Sequence, residues 1–170
     1  MPGTCYVLPY YIGEAAMEGV HNLMDWSSPT AGIVKCALMK EGFVYDPALY
    51  YNYSYYSDLA IKNNEISTAG GYSTGGILVQ NTSWGGYYGQ VTFTCDPPVF
   101  TASGADMDGA DAVVFYDDFY AEEVYPGKTV ICIIQFSETY VVKDGQSFLI
   151  DLGLDPGGNW PALFSFDTTY

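Results

Sequence analysis

The sequence predicts an all-β fold, mainly an antiparallel β-sandwich of the jelly-roll or immunoglobulin-like kind, with one N-terminal α-helix and an extended N-terminal arm. Two observations favour this fold class. From residue 70 onward, short segments rich in β-branched and aromatic residues alternate with clusters of glycine, proline and aspartate. No helical pattern intervenes between these segments, and parallel strands need such crossovers. The strands are therefore expected to pair antiparallel.

Seven segments have the composition of strands. The first, residues 33–39, is an apolar run interrupted by Lys35. Segments 90–95 and 146–152 alternate well enough to leave one face in water. Segments 111–117 and 129–136 are apolar almost throughout, so we expect them to be buried on both faces or covered by a subunit. The remaining predicted strands are 77–80 and 162–166.

The N-terminal part divides into an arm, residues 1–12, and the start of a single domain, residues 13–170. The arm carries side chains too apolar to be left in water, so we expect it to dock either on the chain's own core or on a neighbouring subunit. Residues 13–25 place apolar side chains at helical spacing and predict the helix. The candidate contact residues of the arm are Tyr6, Leu8, Tyr10 and Tyr11.

Residues 43–58 are rich in tyrosine but lack the alternation of a strand, and a turn signal, Asp46-Pro47, lies near their start. They predict a long loop, which either folds over the domain's own core as a flap or presents an aromatic surface to a partner. We favour the partner, because interfaces are more enriched in tyrosine than interiors are. A carbohydrate platform is a weaker third interpretation. The candidate contact residues of the loop are Tyr50, Tyr51, Tyr53, Tyr55 and Tyr56.

The charge balance excludes several classes of partner. The chain has five lysines, no arginine and 20 acidic residues, which give a formal net charge of −15. Without a lysine cluster to replace counterions, it is expected to bind neither nucleic acid nor an anionic membrane. No apolar run approaches the length of a membrane span, and the N-terminus lacks the basic region of a signal peptide. We therefore expect the protein to be used without secretion.

Four cysteines stand singly among apolar neighbours, at positions 5, 36, 95 and 132. This distribution favours small buried thiols in a reducing compartment over a disulfide framework or a zinc site. A bridge between Cys95 and Cys132 stays open, because the sequence alone does not decide which cysteines pair.

The run DMDGAD is a candidate calcium site, because it concentrates the carboxylates of Asp106, Asp108 and Asp111 in one loop. Its spacing is not that of an EF-hand: the glycine comes too early, and the closing glutamate at the twelfth position is missing. A solvated acidic turn is the favoured interpretation, with a weak calcium site as the alternative.

A second acidic cluster follows the predicted strand 111–117 and is expected to form a hydrated loop. It comprises Asp117, Asp118, Glu122 and Glu123. Paired carboxylates serve glycosidases, but nothing in the sequence marks one of these as a proton donor. The single histidine, His21, has no nucleophile placed beside it by a motif. The sequence therefore predicts no enzyme and no cofactor.

The stretch 70–80, GGYSTGGILVQ, is expected to be a tight turn that leads into a buried strand. Gly75 and Gly76 allow a sharp bend or a close approach to another backbone, and Tyr72 adds a large, half-polar side chain. A nucleotide-binding loop is disfavoured, because the glycine spacing differs and a strand pattern follows where a helix would be needed. The stretch is predicted to serve the architecture of the domain.

The order of these segments resembles that of a family of small structural proteins of tailed bacteriophages. In that family a lysine-bearing strand precedes a glutamate and a Gly-Tyr-x-x-Gly-Gly turn, and an Asp-Gly pair comes before the last long strand. The matching residues here are Lys35, Glu65, Gly71, Tyr72, Gly75, Gly76, Asp144 and Gly145, together with the run VVFYDD. The resemblance spans roughly residues 13–166, while the aromatic arm and DMDGAD depart from it.

The resemblance implies a virion protein without enzymatic activity, synthesised in the cytoplasm of the host bacterium. We expect a capsid cement or decoration protein on the capsid exterior. It would be a homotrimer that binds the major capsid protein through the aromatic arm and the tyrosine-rich loop. The alternative is a minor tail or fibre-associated protein that binds a tail partner or a host surface glycan.

Overall fold

The computed structural model describes residues 3–7, 34–87, 90–118, 129–152 and 162–167, and the regular secondary structure of these residues is mostly β-strand. Short 3-10 helices occupy Pro47–Tyr53 and Ala69–Gly71, and a single turn of α-helix, α1, occupies Leu59–Lys62. The strands are β1 (Gly3–Val7), β2 (Val34–Lys40), β3 (Ile77–Leu78), β4 (Ser83–Tyr87), β5 (Gln90–Thr94), β6 (Val99–Thr101), β7 (Ala110–Asp117), β8 (Val130–Tyr140), β9 (Ser147–Leu149) and β10 (Ala162–Asp167).

A five-stranded sheet in the order β1-β8-β7-β2-β3 is the centre of the fold. All of its pairings are antiparallel, as are those of the three-stranded sheet β10-β5-β4 and of the pair β6-β9. The predicted antiparallel all-β class is therefore confirmed for the described residues. No helix among them is long and apolar enough to cross a membrane.

Both faces of the five-stranded sheet are buried. Because side chains alternate between faces along a strand, Cys36 and Leu38 of β2 contribute to one apolar cluster, whereas Ala37 and Met39 contribute to the other. This explains why β7 and the first half of β8 are apolar without alternation, as the sequence predicted for buried strands.

The first cluster is completed by side chains from segments outside the five-stranded sheet, including Tyr72, Phe100, Met107 and Ile150. The second is covered by the tyrosine-rich segment, with Phe43, Tyr45, Tyr53, Tyr56 and Ile61. The chain thus uses different segments to close the two faces of one sheet.

The predicted arm is, over Gly3–Val7, an edge strand of the chain's own sheet. It pairs with β8 from Gly3 opposite Phe136 to Val7 opposite Cys132. Tyr6 lies against the second cluster, 4.9 Å from the ring of Tyr45. Over these residues the arm docks on its own domain, so the predicted boundary at residue 12 does not separate it from the sheet. Leu8, Tyr10 and Tyr11, and the helix predicted for 13–25, lie outside the described residues.

The remaining differences from the sequence predictions concern short strands. Residues 83–87, which no predicted strand covered, form β4, because pairing with β5 supplies the backbone hydrogen bonds that the composition alone does not predict. Residues 99–101 form the unpredicted strand β6. Strand β8 extends four residues further than predicted, to Tyr140, whereas β9 is confined to Ser147–Leu149.

Candidate functional site

The glycine turn, which is the part of the stretch 70–80 before β3, is hydrogen-bonded to the side chain of Glu65. Glu65 Oε1 accepts hydrogen bonds from the Tyr72 hydroxyl and from the Gly75 amide, both at 2.6 Å. Its other oxygen, Oε2, accepts from the Tyr56 hydroxyl. Glu65 itself is held beside β2 by an antiparallel bridge to Met39. One half-buried carboxylate therefore joins the tyrosine-rich segment, the glycine turn and the central sheet.

Three tyrosine hydroxyls surround this carboxylate. The rings of Tyr56 and Tyr116 stack with centroids 4.2 Å apart, and the Tyr116 hydroxyl donates to the carbonyl oxygen of Gly75 at 2.7 Å. Burial is the largest cause that raises the pKa of Tyr56, Tyr72 and Tyr116 above the ordinary value of 10.0, and the nearby charge of Glu65 raises each further. The three hydroxyls therefore remain protonated donors at neutral pH.

The close backbone approach predicted for the glycine pair is confirmed at Gly76. Its φ is +68°, and a Cβ at this position would lie 1.8 Å from the carbonyl oxygen of Cys36. No side chain fits there, because the turn passes directly over β2. Gly75 has a φ of +90° and also presents its carbonyl to Tyr116. Gly75 and Gly76 serve the architecture of the turn, as predicted.

The second acidic cluster is not the hydrated loop that the sequence predicted, at least over its first two residues. Asp117 is the last residue of β7 and is 6% exposed. Asp118 forms an ion pair with Lys35 of β2, with Nζ and Oδ2 2.5 Å apart. Because β7 pairs with β2 up to Asp117, both carboxylates lie beside the sheet. Glu122 and Glu123 lie outside the described residues.

Hydrogen bonds join the tyrosine-rich segment, residues 43–58, to β8 near its start and again at Ser54. At its start, Gln135 Oε1 accepts from the Tyr45 amide at 3.2 Å while Gln135 Nε2 donates to the carbonyl of Phe43 at 2.9 Å. At its end, the amide of Val130 donates to the carbonyl of Ser54 at 2.9 Å. The segment is thus a fixed cover on the second cluster.

A 3-10 helix shapes the middle of this segment. Asp46 caps it, because its side chain accepts a hydrogen bond from the Ala48 amide at 2.9 Å and Pro47 occupies the first helical turn. The sequence predicted a loop here, since the turn signal Asp46-Pro47 was identified but not the helical turn that follows it. The helix is interrupted at Leu49, whose φ of −114° and ψ of 31° are not helical, so the cap stabilises its first turn.

The candidate contact residues of this segment separate into two groups. Tyr53 and Tyr56 are 8% and 9% exposed and belong to the second cluster, which corrects their assignment to a partner surface. Tyr50 and Tyr51 are 43% and 60% exposed, with rings in edge contact at a centroid distance of 5.9 Å. Tyr55 is half-buried and bridges to Thr129. The flap and the aromatic surface are therefore both present in one segment.

We call the exposed part the tyrosine surface, formed by Leu49, Tyr50 and Tyr51 of the 3-10 helix and by Leu59 of α1. Leu49 and Leu59 are 39% and 72% exposed, and α1 contacts the 3-10 helix. Large apolar side chains presented together in water mark a contact surface more than scattered ones do. Sequence reasoning missed Leu49 and Leu59, because only the aromatic residues were weighed there.

A smaller exposed apolar pair lies on β6 and β9. Val99 and Leu149 stand opposite each other in the register of these strands and are 44% and 48% exposed. Next to them, the hydroxyls of Thr101 and Ser147 are 2.8 Å apart. These four side chains include no aromatic ring, so they form a reference surface against which the tyrosine surface can be compared.

The three aspartates of DMDGAD have separate structural partners. Asp106 binds the Lys143 ammonium at 2.8 Å and the Asp144 amide at 2.9 Å, which lowers its pKa. Asp108 Oδ2 accepts from the amide of Ser67, and Asp111 binds Gly42 and Thr139. No group of three or more metal-ligating side chains occurs in the described part of the chain. The three aspartates therefore make hydrogen bonds that stabilise this loop and the turns next to it.

Comparison with known proteins gives no match to the chain, whether among protein-family models, curated proteins or solved structures. We therefore infer the function from the residues and contacts described above.

Proposed function

We propose that this protein is a capsid decoration protein of a tailed bacteriophage, which binds the major capsid protein through the tyrosine surface. The observation that carries the proposal is the rigid presentation of Tyr50 and Tyr51. Their backbone is held by the Asp46 cap and by fastenings to β8 on both sides, yet their rings are in water. Partner binding would bury them at little conformational cost, which favours affinity.

The charge of the chain is consistent with this role. A net charge of −15 keeps copies apart in solution and disfavours association with the packaged genome, so a decoration protein would find the outer shell by its apolar contacts. Each bound copy would stabilise the shell by mass action, because it binds the assembled state and not the separated subunits. No chemical step is required.

The placement of β1 changes the mechanism expected from the sequence. Residues 3–7 pair with β8 of the chain's own sheet, so we propose that they stabilise the domain and that the capsid contact lies elsewhere. The tyrosine surface then provides the shell contact, and the proposed homotrimer would assemble on the capsid at its symmetry axes. Removing residues 1–11 is accordingly expected to destabilise the domain, because it exposes the edge of β8.

For the fold, we propose a sandwich in which the three-stranded sheet covers the first cluster. Cys95, the residue after β5, is buried in that cluster with Phe100 of β6 and Ile150, which follows β9. Residues in or next to strands of both smaller sheets thus contribute to one cluster, which supports the proposed arrangement. A crystal structure of the purified protein tests this arrangement.

The position and copy number of the protein in intact particles test the function. Electron cryo-microscopy of purified virions, with quantitative mass spectrometry, is expected to place the protein on the outer shell with a copy number comparable to that of the major capsid protein. A few copies located at the tail would contradict the proposal. That result would favour the alternative, a minor tail or fibre-associated protein whose tyrosine surface binds a tail partner or a host glycan.

A further inference from the structure

Cys5 and Cys132 lie on neighbouring strands at the edge of the central sheet. In the register of β1 and β8, Cys5 stands opposite Ile134 and Cys132 stands opposite Val7, so the two cysteines are diagonal neighbours. Tyr6 packs on the second cluster, and alternation therefore turns Cys5 to the first cluster, where Cys132 lies. Their thiols are hydrogen-bonded to each other.

We propose that Cys5 and Cys132 form an oxidisable thiol pair whose disulfide links the edge strand β1 to its neighbour β8 in the five-stranded sheet. Cys5 is the exposed member of the pair and Cys132 is the buried one. All four cysteines are thiols in the structure, so this describes the reduced form of the pair. The inference does not depend on the function proposed above.

The two thiols have different chemical roles. The hydrogen bond from Cys132 lowers the pKa of Cys5, which favours its thiolate, whereas burial raises the pKa of Cys132. Cys5 is thus the nucleophile. Its thiolate attacks a low-molecular-weight disulfide such as oxidised glutathione, forms a mixed disulfide and releases one thiolate. Cys132 then displaces the second glutathione thiolate from Cys5, and its proton passes to that leaving thiolate, which closes the protein disulfide.

The structure favours Cys5 over Cys95 as the partner of Cys132. Cys95 is buried, and burial raises its pKa to about 12, so it is a poor nucleophile toward an oxidant in solution. Its interaction with Cys132 is a weaker electrostatic one. An edge strand, which is paired on one side only, also moves more easily than a buried one to the geometry that a disulfide requires. We therefore favour a bridge between Cys5 and Cys132 over the Cys95–Cys132 bridge that the sequence left open.

Oxidation of the purified full-length protein tests the proposal. The reduced protein is incubated with oxidised glutathione, free thiols are alkylated in denaturant, and the products are analysed by mass spectrometry. The expected product has lost two hydrogen atoms, retains two alkylated cysteines and yields a linked peptide that contains Cys5 and Cys132. Because the bridge closes a long loop, Tm is expected to rise by about 5 °C or more relative to the reduced protein.

Two variants separate the roles of the cysteines. Cys132→Ser keeps a hydrogen-bond donor beside Cys5 but removes the resolving thiol, and it is expected to accumulate a stable glutathione adduct at Cys5. Cys5→Ser, a change at an exposed position, is expected to form neither adduct nor bridge. The proposal is overturned if wild-type protein ends as the Cys5 adduct, if the linked peptide contains Cys95, or if no thiol reacts while the protein stays folded.

Discussion

Glu65 and Tyr72 share a hydrogen bond of 2.6 Å that couples the glycine turn to the central sheet. The Tyr72 hydroxyl donates to Glu65 Oε1 and accepts from the amide of Leu38 in β2 at 3.1 Å. Tyr72 is 4% exposed, and its ring stacks on Phe100 in the first cluster, with centroids 6.1 Å apart. Glu65, Tyr72 and Gly75, three of the residues that suggested the phage resemblance, are therefore joined in one structural unit.

Tyr72→Phe removes only the hydroxyl of this unit. We expect a loss of about 1–3 kcal/mol in the free energy of unfolding, because the Leu38 amide and Glu65 each lose a buried partner. Urea denaturation followed by circular dichroism measures it. Tyr50→Phe makes the same chemical change on an exposed ring and is expected to have no measurable effect. Equal stability of the two variants would show that the Tyr72 hydroxyl contributes nothing.

Gly76→Ala tests the close approach of the turn to β2. The new Cβ meets the Cys36 carbonyl, and the φ of +68° is unfavourable for alanine, so we expect a loss of at least about 2 kcal/mol. Gly42→Ala is the matched control, since Gly42 has a φ of +85° but no atom lies within 4 Å of the place that its new Cβ would take. Thermal unfolding of both variants isolates the clash; a Gly76 variant no less stable than the Gly42 variant would contradict it.

The buried tyrosines predict a loss of stability at alkaline pH. The pKa values of Tyr56, Tyr72 and Tyr116 in the folded state lie above 10.0, so on raising the pH the unfolded chain loses these protons first. Their contribution is fully present below pH 10.0 and declines as the pH rises through that value. We expect tyrosinate absorbance to reach its full amplitude only on unfolding. Complete ionisation while the near-ultraviolet circular dichroism stays native would contradict this.

The sequence predicted the central strands and the glycine turn because their signals are local. The apolar runs of β7 and β8 require burial on both faces, and the spacing of Gly75 and Gly76 requires a tight backbone. By contrast, the pairing of Gly3–Val7 with β8 joins segments more than a hundred positions apart, and no local pattern encodes it.

The tyrosine-rich segment shows why the candidate site was only partly predictable. Tyr50, Tyr51, Tyr53 and Tyr56 have the same side chain, and the segment lacks a single periodicity from which inward and outward positions follow. Tyr53 is buried against the rings of Phe43 and Tyr45, and Tyr56 is buried against the ring of Tyr116. Those contacts are set by the tertiary structure and not by composition.

Binding of a Tyr50→Ser/Tyr51→Ser variant to expanded capsids that lack the protein tests the central claim most directly. Cosedimentation is expected to show at least about a tenfold loss of affinity, because the exposed aromatic pair supplies the buried contact area. Val99→Ser/Leu149→Ser removes apolar area from the β6-β9 face and is expected to bind like the wild-type protein, with circular dichroism confirming that both variants fold. Undiminished binding of the tyrosine variant would contradict the account.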